Sequence, residues 1–254
     1  MCIRDRLEAI ARGSSRQLTL QPEIENAAAV LAVSRSFAHI YENTGLENVV
    51  CVENGVSSLA RKARTLSDNG KVRLAHIGGM ERHKGIHLIK NVLFSSINLN
   101  NLELLVVDHA AVSGSYREEK WGNTLVKIVA KTPQSQVAGL YSNIDVLIAP
   151  SVWPESFGLV TREALACGCW VVASDRGAVG SDVIEGKNGH VVDVSSSQGL
   201  SEVLTYIDNN ADSYRRSPDF KTILRSSDDQ AEDLIRLYEL YASSKEVSNS
   251  HEQG

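Results

Sequence analysis

The sequence predicts a doubly wound parallel α/β sheet, and three observations carry that prediction. Six short runs rich in β-branched and aliphatic residues recur between positions 73 and 193. These runs are apolar throughout instead of alternating, as strands covered on both faces are. Between them lie stretches with apolar residues at helical spacing, which supply that cover.

The elements follow in order. "RLAHIGG" (73–79) is the first run and leads into "KGIHLIKNVLF", where Ile86, Ile89, Val92 and Leu93 share one helical face. "LELLVVD" (102–108) is the second run and "TLVKIVA" (124–130) the third. "SQVAGLYSN" reads as a helix before the fourth run, "DVLIAPS" (145–151). "CWVVASD" (169–175) is the fifth, and "GHVVD" (189–193) a shorter sixth.

Both ends behave differently. "AAAVLAVS" (27–34) predicts a strand, "RSFAHIYENTG" a helix ending at Gly45, and "NVVCVENG" (48–55) a strand closed by an Asn-Gly turn. Two strands and one helix do not complete a layer. Residues 1–55 are therefore expected to be the remnant of an N-terminal domain whose earlier strands are absent from this chain. Residues 56–72 are polar and read as a linker at the start of the main domain, 56–226. "SDDQAEDLIRLYELYAS" (227–243) predicts an amphipathic helix, and "SKEVSNSHEQG" a polar, frayed tail, making 227–254 a terminal segment.

Composition sets the outer limits. With 254 residues, 43% of them hydrophobic and 22% charged, the chain is long enough to bury a sizeable core. A net charge of −5 offers no basic stripe for a phosphate backbone, which argues against a nucleic-acid partner. Met1 to Arg16 lacks the apolar centre of a signal peptide, and no stretch approaches the roughly 18 apolar residues of a membrane span. The expectation is a soluble, cytoplasmic protein. Of Cys2, Cys51, Cys167 and Cys169, the last two are too close for C-x-x-C metal spacing. Buried thiols in a reducing compartment are expected.

In an open α/β sheet, ligands sit beyond the carboxyl ends of the strands. After the fourth run comes "PSVWPESFGLVTREALACG". Pro154 disfavours helix at Trp153, so 151–155 reads as a loop. A helix then begins near Phe157 or Gly158 and ends at Gly168. Its free N–H groups and positive dipole end suit a phosphate, and Gly158 lets a ligand approach the backbone. Glu155 and Glu163 repel phosphate but accept well from sugar hydroxyls. A ligand with both phosphate and polyol character satisfies the whole stretch. Taken singly, a Glu at a helix start is a dipole compensator contributing about 0.3–1 kcal/mol.

A second constellation follows the first run, in "HIGGMERHKGIHLI". Gly78 and Gly79 make a flexible turn, and Lys84-Gly85 begins the next helix. A lysine at a helix start opposes the dipole unless an anion sits there; a charge-assisted bond to one contributes about 1.5–3 kcal/mol. Neither G-x-G-x-x-G nor the P-loop fingerprint is present.

Together these residues resemble the donor-binding half of a retaining GT-B glycosyltransferase of group 1, or family 4, from about Ala28 to about Tyr241. The strongest part is "PSVWPESFGLVTREALACGCWVVASDRG", which is similar to the family's E-x7-E motif, placed downstream of a "GG-x4-KG" turn. The resemblance implies that 56–226 is a Rossmann-like domain binding a nucleotide-diphosphate sugar, UDP- or GDP-linked, with no cofactor and no obligatory metal. Glu155 would hold the sugar hydroxyls, with backbone N–H groups of Ser156, Phe157, Gly158, Leu159 and Val160 around sugar and diphosphate. Glu163 would accept from the ribose, and Lys84 would neutralise the diphosphate leaving group. Glu155 and Lys84 are thus the candidate catalytic residues, with Gly78 and Gly79 beside them in the substrate site.

Two departures stand out. Gly79 occupies the place where many family members carry an arginine, and Arg82 in the same turn is expected to substitute in part. "VVDHAA" replaces a glycine-containing turn after the second run, which leaves a ligand role open to Asp108 and His109. The acceptor is open among a glycan, a lipid and a small molecule, with any peripheral membrane association assigned to the missing domain. Without that domain, water is not excluded, and the chain alone is expected to bind donor weakly and transfer poorly. The alternatives are a non-catalytic donor-binding fragment or half of a split enzyme, and a nucleotide-sugar epimerase or a pyridoxal-phosphate phosphorylase on similar architecture. A nicotinamide-dependent reductase is disfavoured by the missing glycine fingerprint.

Overall fold

The computed structural model describes residues 3–57, 65–96 and 98–251. The chain divides into two compact units, one formed by 1–53 with 228–254 and the other by 54–227.

The first unit opens with α1 (Ile3–Glu25), followed by β1 (Val30–Ala32), α2 (Arg35–Glu42) and β2 (Val49–Cys51). Strands β1 and β2 pair in parallel, Val30 opposite Val49. The Ser34 hydroxyl caps α2 by accepting from the Phe37 N–H at 3.3 Å, the usual satisfaction of an orphan donor. Strand β1, helix α2 and strand β2 fall within the segments predicted for them. Helix α1 was not anticipated, because Gly13, Ser14, Ser15 and Pro22 are weak helix formers.

The second unit contains β3 (Val72–His76), a 3-10 turn (Arg82–Lys84), α3 (Ile86–Ser95), β4 (Leu102–Asp108), β5 (Tyr116–Trp121) and β6 (Thr124–Ala130). It continues through α4 (Val137–Ser142), β7 (Val146–Ala149), α5 (Leu159–Ala166), β8 (Trp170–Ser174), β9 (Gly189–Val192), α6 (Gln198–Asn209) and α7 (Ala211–Tyr214). The strands form one sheet in the order β5-β6-β4-β3-β7-β8-β9. Every neighbouring pair is parallel except β5 with β6. All six apolar runs are strands. The unanticipated strand, β5, reads "YREEKW" and closes one end of the sheet, where water on one side tolerates charge.

The two faces of the sheet bury separate apolar layers. Leu74, Val106 and Ile148 pack with Ile89 and Leu93 of α3 and with Leu204 and Ile207 of α6. On the opposite face, Ala75, Leu147 and Val171 pack with Tyr141 of α4 and Leu165 of α5. Consecutive residues Leu74 and Ala75 thus serve opposite layers, as the pleat requires. Asp145, fully buried, accepts from the Arg73 backbone N–H at 2.8 Å and pairs with its guanidinium at 2.8 Å, which fixes the start of β3 beside β7.

Of the stretch read as a linker, residues 58–64 lie outside the described residues; Val56 bridges to Ser226 within this unit. Helix α8 (Ser227–His251) extends well past Ser243, so the segment expected to fray is helical as far as His251. Cys167 and Cys169 are buried thiols, whereas Cys51 is exposed, at a partly covered strand end, contrary to expectation. Cys2 lies outside the described residues. Among the described residues, no helix is long and apolar enough to cross a membrane.

Candidate functional site

The chain runs outward from β3 through β4 to β6, then returns to the other side of β3 at β7. Such a reversal opens a crevice at the carboxyl ends of the central strands. A cavity of about 440 Å³ lies there, walled by residues at and beyond the ends of β3 (His76 to Glu81, and Lys84) and β4 (Asp108 to Ala110), and by Glu155, Leu159 and Val160 after β7.

Lys84 does not begin α3, as the sequence suggested. It closes the 3-10 turn, and Gly85 with φ +81° separates it from the helix. The turn is held from below, because the His83 carbonyl accepts from the Val152 N–H at 3.0 Å and the Ser151 hydroxyl at 3.1 Å. Lys84 Nζ therefore faces the loop after β7 and donates to Glu155 Oε1 at 2.9 Å. Both side chains keep some water contact, 33% and 19% exposed, so the pair is not sealed from solvent.

The structure sorts the sequence candidates by position. Gly78, Gly79, Lys84, Glu155, Leu159 and Val160 line one cavity. Gly158 precedes α5 with φ +74°, leaving the first N–H groups of the helix without helical partners. Ser156 is exposed, and Phe157 is buried beneath the Arg162 guanidinium, 4.0 Å from the ring centroid; neither is on the cavity wall. Glu163 is also off the wall: it is buried in α5, and Oε2 accepts from the Tyr141 hydroxyl at 3.0 Å. Burial first, and then the Glu163 carboxylate, push the Tyr141 phenol pKa far up, so it remains a donor. Arg82 is exposed and off the wall, so the geometry does not bring it to the place expected of a substitute for the arginine absent at 79.

Sequence reasoning did not single out His76 and Glu81; Asp108 and His109 it left open. The Gly79 N–H donates to the Val107 carbonyl at 3.0 Å, which ties the glycine turn to the end of β4 and sets Asp108 and His109 beside it. Asp108 turns the chain by accepting the Ala110 N–H at 3.1 Å. His76 lies under the turn: a Cβ on Gly78 would come within 2.9 Å of its ring. Nδ1 donates to the Ile148 carbonyl at 3.0 Å, and Nε2 is buried.

Burial holds the His76 pKa below its ordinary 6.5, and the Lys84 charge pushes the same way. The folded chain thus keeps His76 neutral where the unfolded chain takes up a proton. Stability is full above about pH 6.5 and falls as pH drops through that value. Urea midpoints at pH 7.5 and 5.5 are expected to differ less in His76→Phe than in the parent. Equal differences would show that His76 is not a source of the pH dependence.

Residues 57–218, more than half of the chain, match the family model described as Glycosyl transferases group 1. The chain belongs to this family. Over 156 residues, 57% of the chain, it is 30% identical to the D-inositol 3-phosphate glycosyltransferase of Corynebacterium urealyticum, of which the match covers 36%. Over 130 residues, 47% of the chain, it is 29% identical to the phosphatidyl-myo-inositol mannosyltransferase of Mycobacterium leprae, of which 33% is covered. The match to this group 1 glycosyltransferase chain thus spans about a third of the length of these curated relatives.

Solved structures share the fold. Sucrose-phosphate synthase from Thermosynechococcus elongatus superposes with a TM-score of 0.70 at 21% identity, over 91% of this chain and 62% of that one. HepE of Anabaena in complex with UDP and glucose gives 0.60 at 19% identity, over 78% and 58%. The sheet is accordingly the Rossmann-like sheet of glycosyltransferases, and the whole cavity falls inside the part of this group 1 chain that matches the family model.

Proposed function

We propose that the unit 54–227 binds a nucleotide-diphosphate sugar and presents it for transfer to an acceptor. The observation that carries this reading is the meeting of Lys84 and Glu155 across one cavity, between a glycine turn and the start of α5. Lys84 and the α5 N–H groups supply positive character for a diphosphate, and Glu155 supplies acceptors for sugar hydroxyls. As the bond to the leaving diphosphate lengthens, charge grows on its oxygens, and a fixed ammonium stabilises it. Glu163, oriented by Tyr141, is assigned to the ribose hydroxyls. Arg82, exposed, remains at most an outer contact for the phosphates.

The HepE complex with UDP and glucose supports a donor of this class, UDP-linked in that relative of the fold, and the donor here is assigned to the UDP- or GDP-linked sugars. Residues 1–55 are assigned to the remnant of an acceptor-side domain, and the acceptor to the glycans, lipids and small molecules as a class. The buried thiols of Cys167 and Cys169 suit a reducing, cytoplasmic setting. The epimerase and fragment alternatives gain no observation of their own.

Calorimetric titration of the chain with UDP, GDP and ADP tests the reading. One nucleotide is expected to bind clearly better than the others, and Glu163→Ala to weaken it. Failure of all three to bind, alone or as glucose conjugates, would overturn the donor assignment.

A further inference from the structure

We propose that Arg162 is a positioning residue that sets the Glu155 carboxylate for the donor sugar, acting through the segment that links β8 to β9. This rests on the donor reading above and adds to it a residue that does not touch the cavity.

Arg162 is a cation on an eight-residue helix whose other buried side chains are Thr161, Glu163, Ala164 and Leu165. It is 8% exposed, too deep for a solvated surface charge. Its guanidinium makes an ion pair with Asp182 at 2.7 Å, a hydrogen bond to the Ala178 carbonyl at 3.3 Å, and a contact with the face of Phe157.

Those contacts converge on Glu155 from both sides. The Ala178 N–H donates to the Glu155 carbonyl at 2.8 Å, and Glu155 forms a parallel bridge with Gly177. The same Ala178 peptide region is what Arg162 holds. On the other side, Phe157 stands two residues along the chain from Glu155 and carries the guanidinium on its ring. Beside these contacts, Thr161 Oγ1 lies 2.8 Å from the Gly158 carbonyl and 2.9 Å from that of Val179, binding the same two segments. Arg162 therefore clamps both flanks of the Glu155 loop. The unbranched apolar side chain of methionine fills much of the volume but holds neither Asp182 nor Ala178. Freed from the clamp, the Glu155 carboxylate samples several positions, and its bonds to sugar hydroxyls weaken. Lys84 sits on the separate turn after β3, and a loosened Glu155 carboxylate only releases its ammonium from the ion pair, so the contact to the diphosphate does not weaken.

The test measures affinity for UDP and UDP-glucose, with the GDP and ADP pairs in parallel, in the parent, Arg162→Met, Arg162→Lys and Asp182→Asn. Arg162→Met is expected to lower affinity for the sugar conjugate by about threefold to tenfold without weakening the free nucleotide. Arg162→Lys restores part of the loss, and Asp182→Asn shows it in smaller measure. In a Glu155→Gln background, Arg162→Met is expected to add nothing, as two residues acting through one group require. Equal weakening of nucleotide and conjugate marks a merely structural role and overturns the proposal, as does no change in either. If Arg162→Met does not fold, Asp182→Asn alone decides between the same outcomes. A parent that binds no nucleotide or conjugate brings down the donor reading itself, and the positioning role with it.

Discussion

Gly85→Ala is expected to cost the 54–227 unit more than about 3 kcal/mol, the largest effect of any single methyl group near the site. Two terms add. The backbone at Gly85 has φ +81°, a conformation that costs an L-residue roughly 1–2 kcal/mol. The new Cβ would also lie 1.9 Å from the Pro150 carbonyl oxygen, a backbone atom that no rotamer change can remove. Relief requires that the turn and the loop after β7 part, which breaks the hydrogen bonds from Ser151 and Val152 to His83. Gly70 provides the comparison, since it has φ +73° but open space around it, and Gly70→Ala should cost only about 1–2 kcal/mol. Urea denaturation of both variants checks this. Equal losses would mean that the loop yields freely and that the turn is not docked as described.

The second large effect is on binding. Lys84→Ala is expected to reduce affinity for a nucleoside diphosphate by roughly tenfold to 150-fold, equivalent to about 1.5–3 kcal/mol for one charge-assisted hydrogen bond. Binding of the nucleoside without phosphates should not change. Stability should change little, because both partners in the Lys84–Glu155 pair are partly exposed and such pairs contribute little. Glu155→Gln should behave oppositely toward the bare diphosphate, binding it as well as the parent or better, because a carboxylate facing the anion has been removed. Calorimetry with UDP and uridine separates these cases. Undiminished UDP binding in Lys84→Ala would remove the lysine from the site.

What was legible in the sequence follows from burial. Strands such as β4, β7 and β8 are covered on both faces, so their composition is apolar at nearly every position and announces them. Strand β5 is paired on one side only, and the pattern Arg117-Glu118-Glu119-Lys120 resembles a loop until β6 is seen beside it. The Glu155 loop was legible because Pro154 and Gly158 mark its ends. The surroundings of Glu163 were not, since its partner Tyr141 comes from another helix, 22 residues away in sequence. His76 looked like one more residue in an apolar strand, and only the Gly78 turn folded over it shows that it shapes the cavity. Arg162 was hidden in the same way, because Asp182, Ala178 and Phe157 belong to two other loops.

The Lys84–Glu155 contact also bears on discrimination between guests. A guest with only an anionic end takes the ammonium and strands the carboxylate; a guest with only hydroxyls does the reverse. Each leaves one member of a formerly satisfied couple without its partner, a penalty set against whatever the guest brings. On the proposed reading, inorganic phosphate and free hexose are each expected to bind poorly at this contact. A molecule carrying both chemistries at the right separation compensates both halves at once.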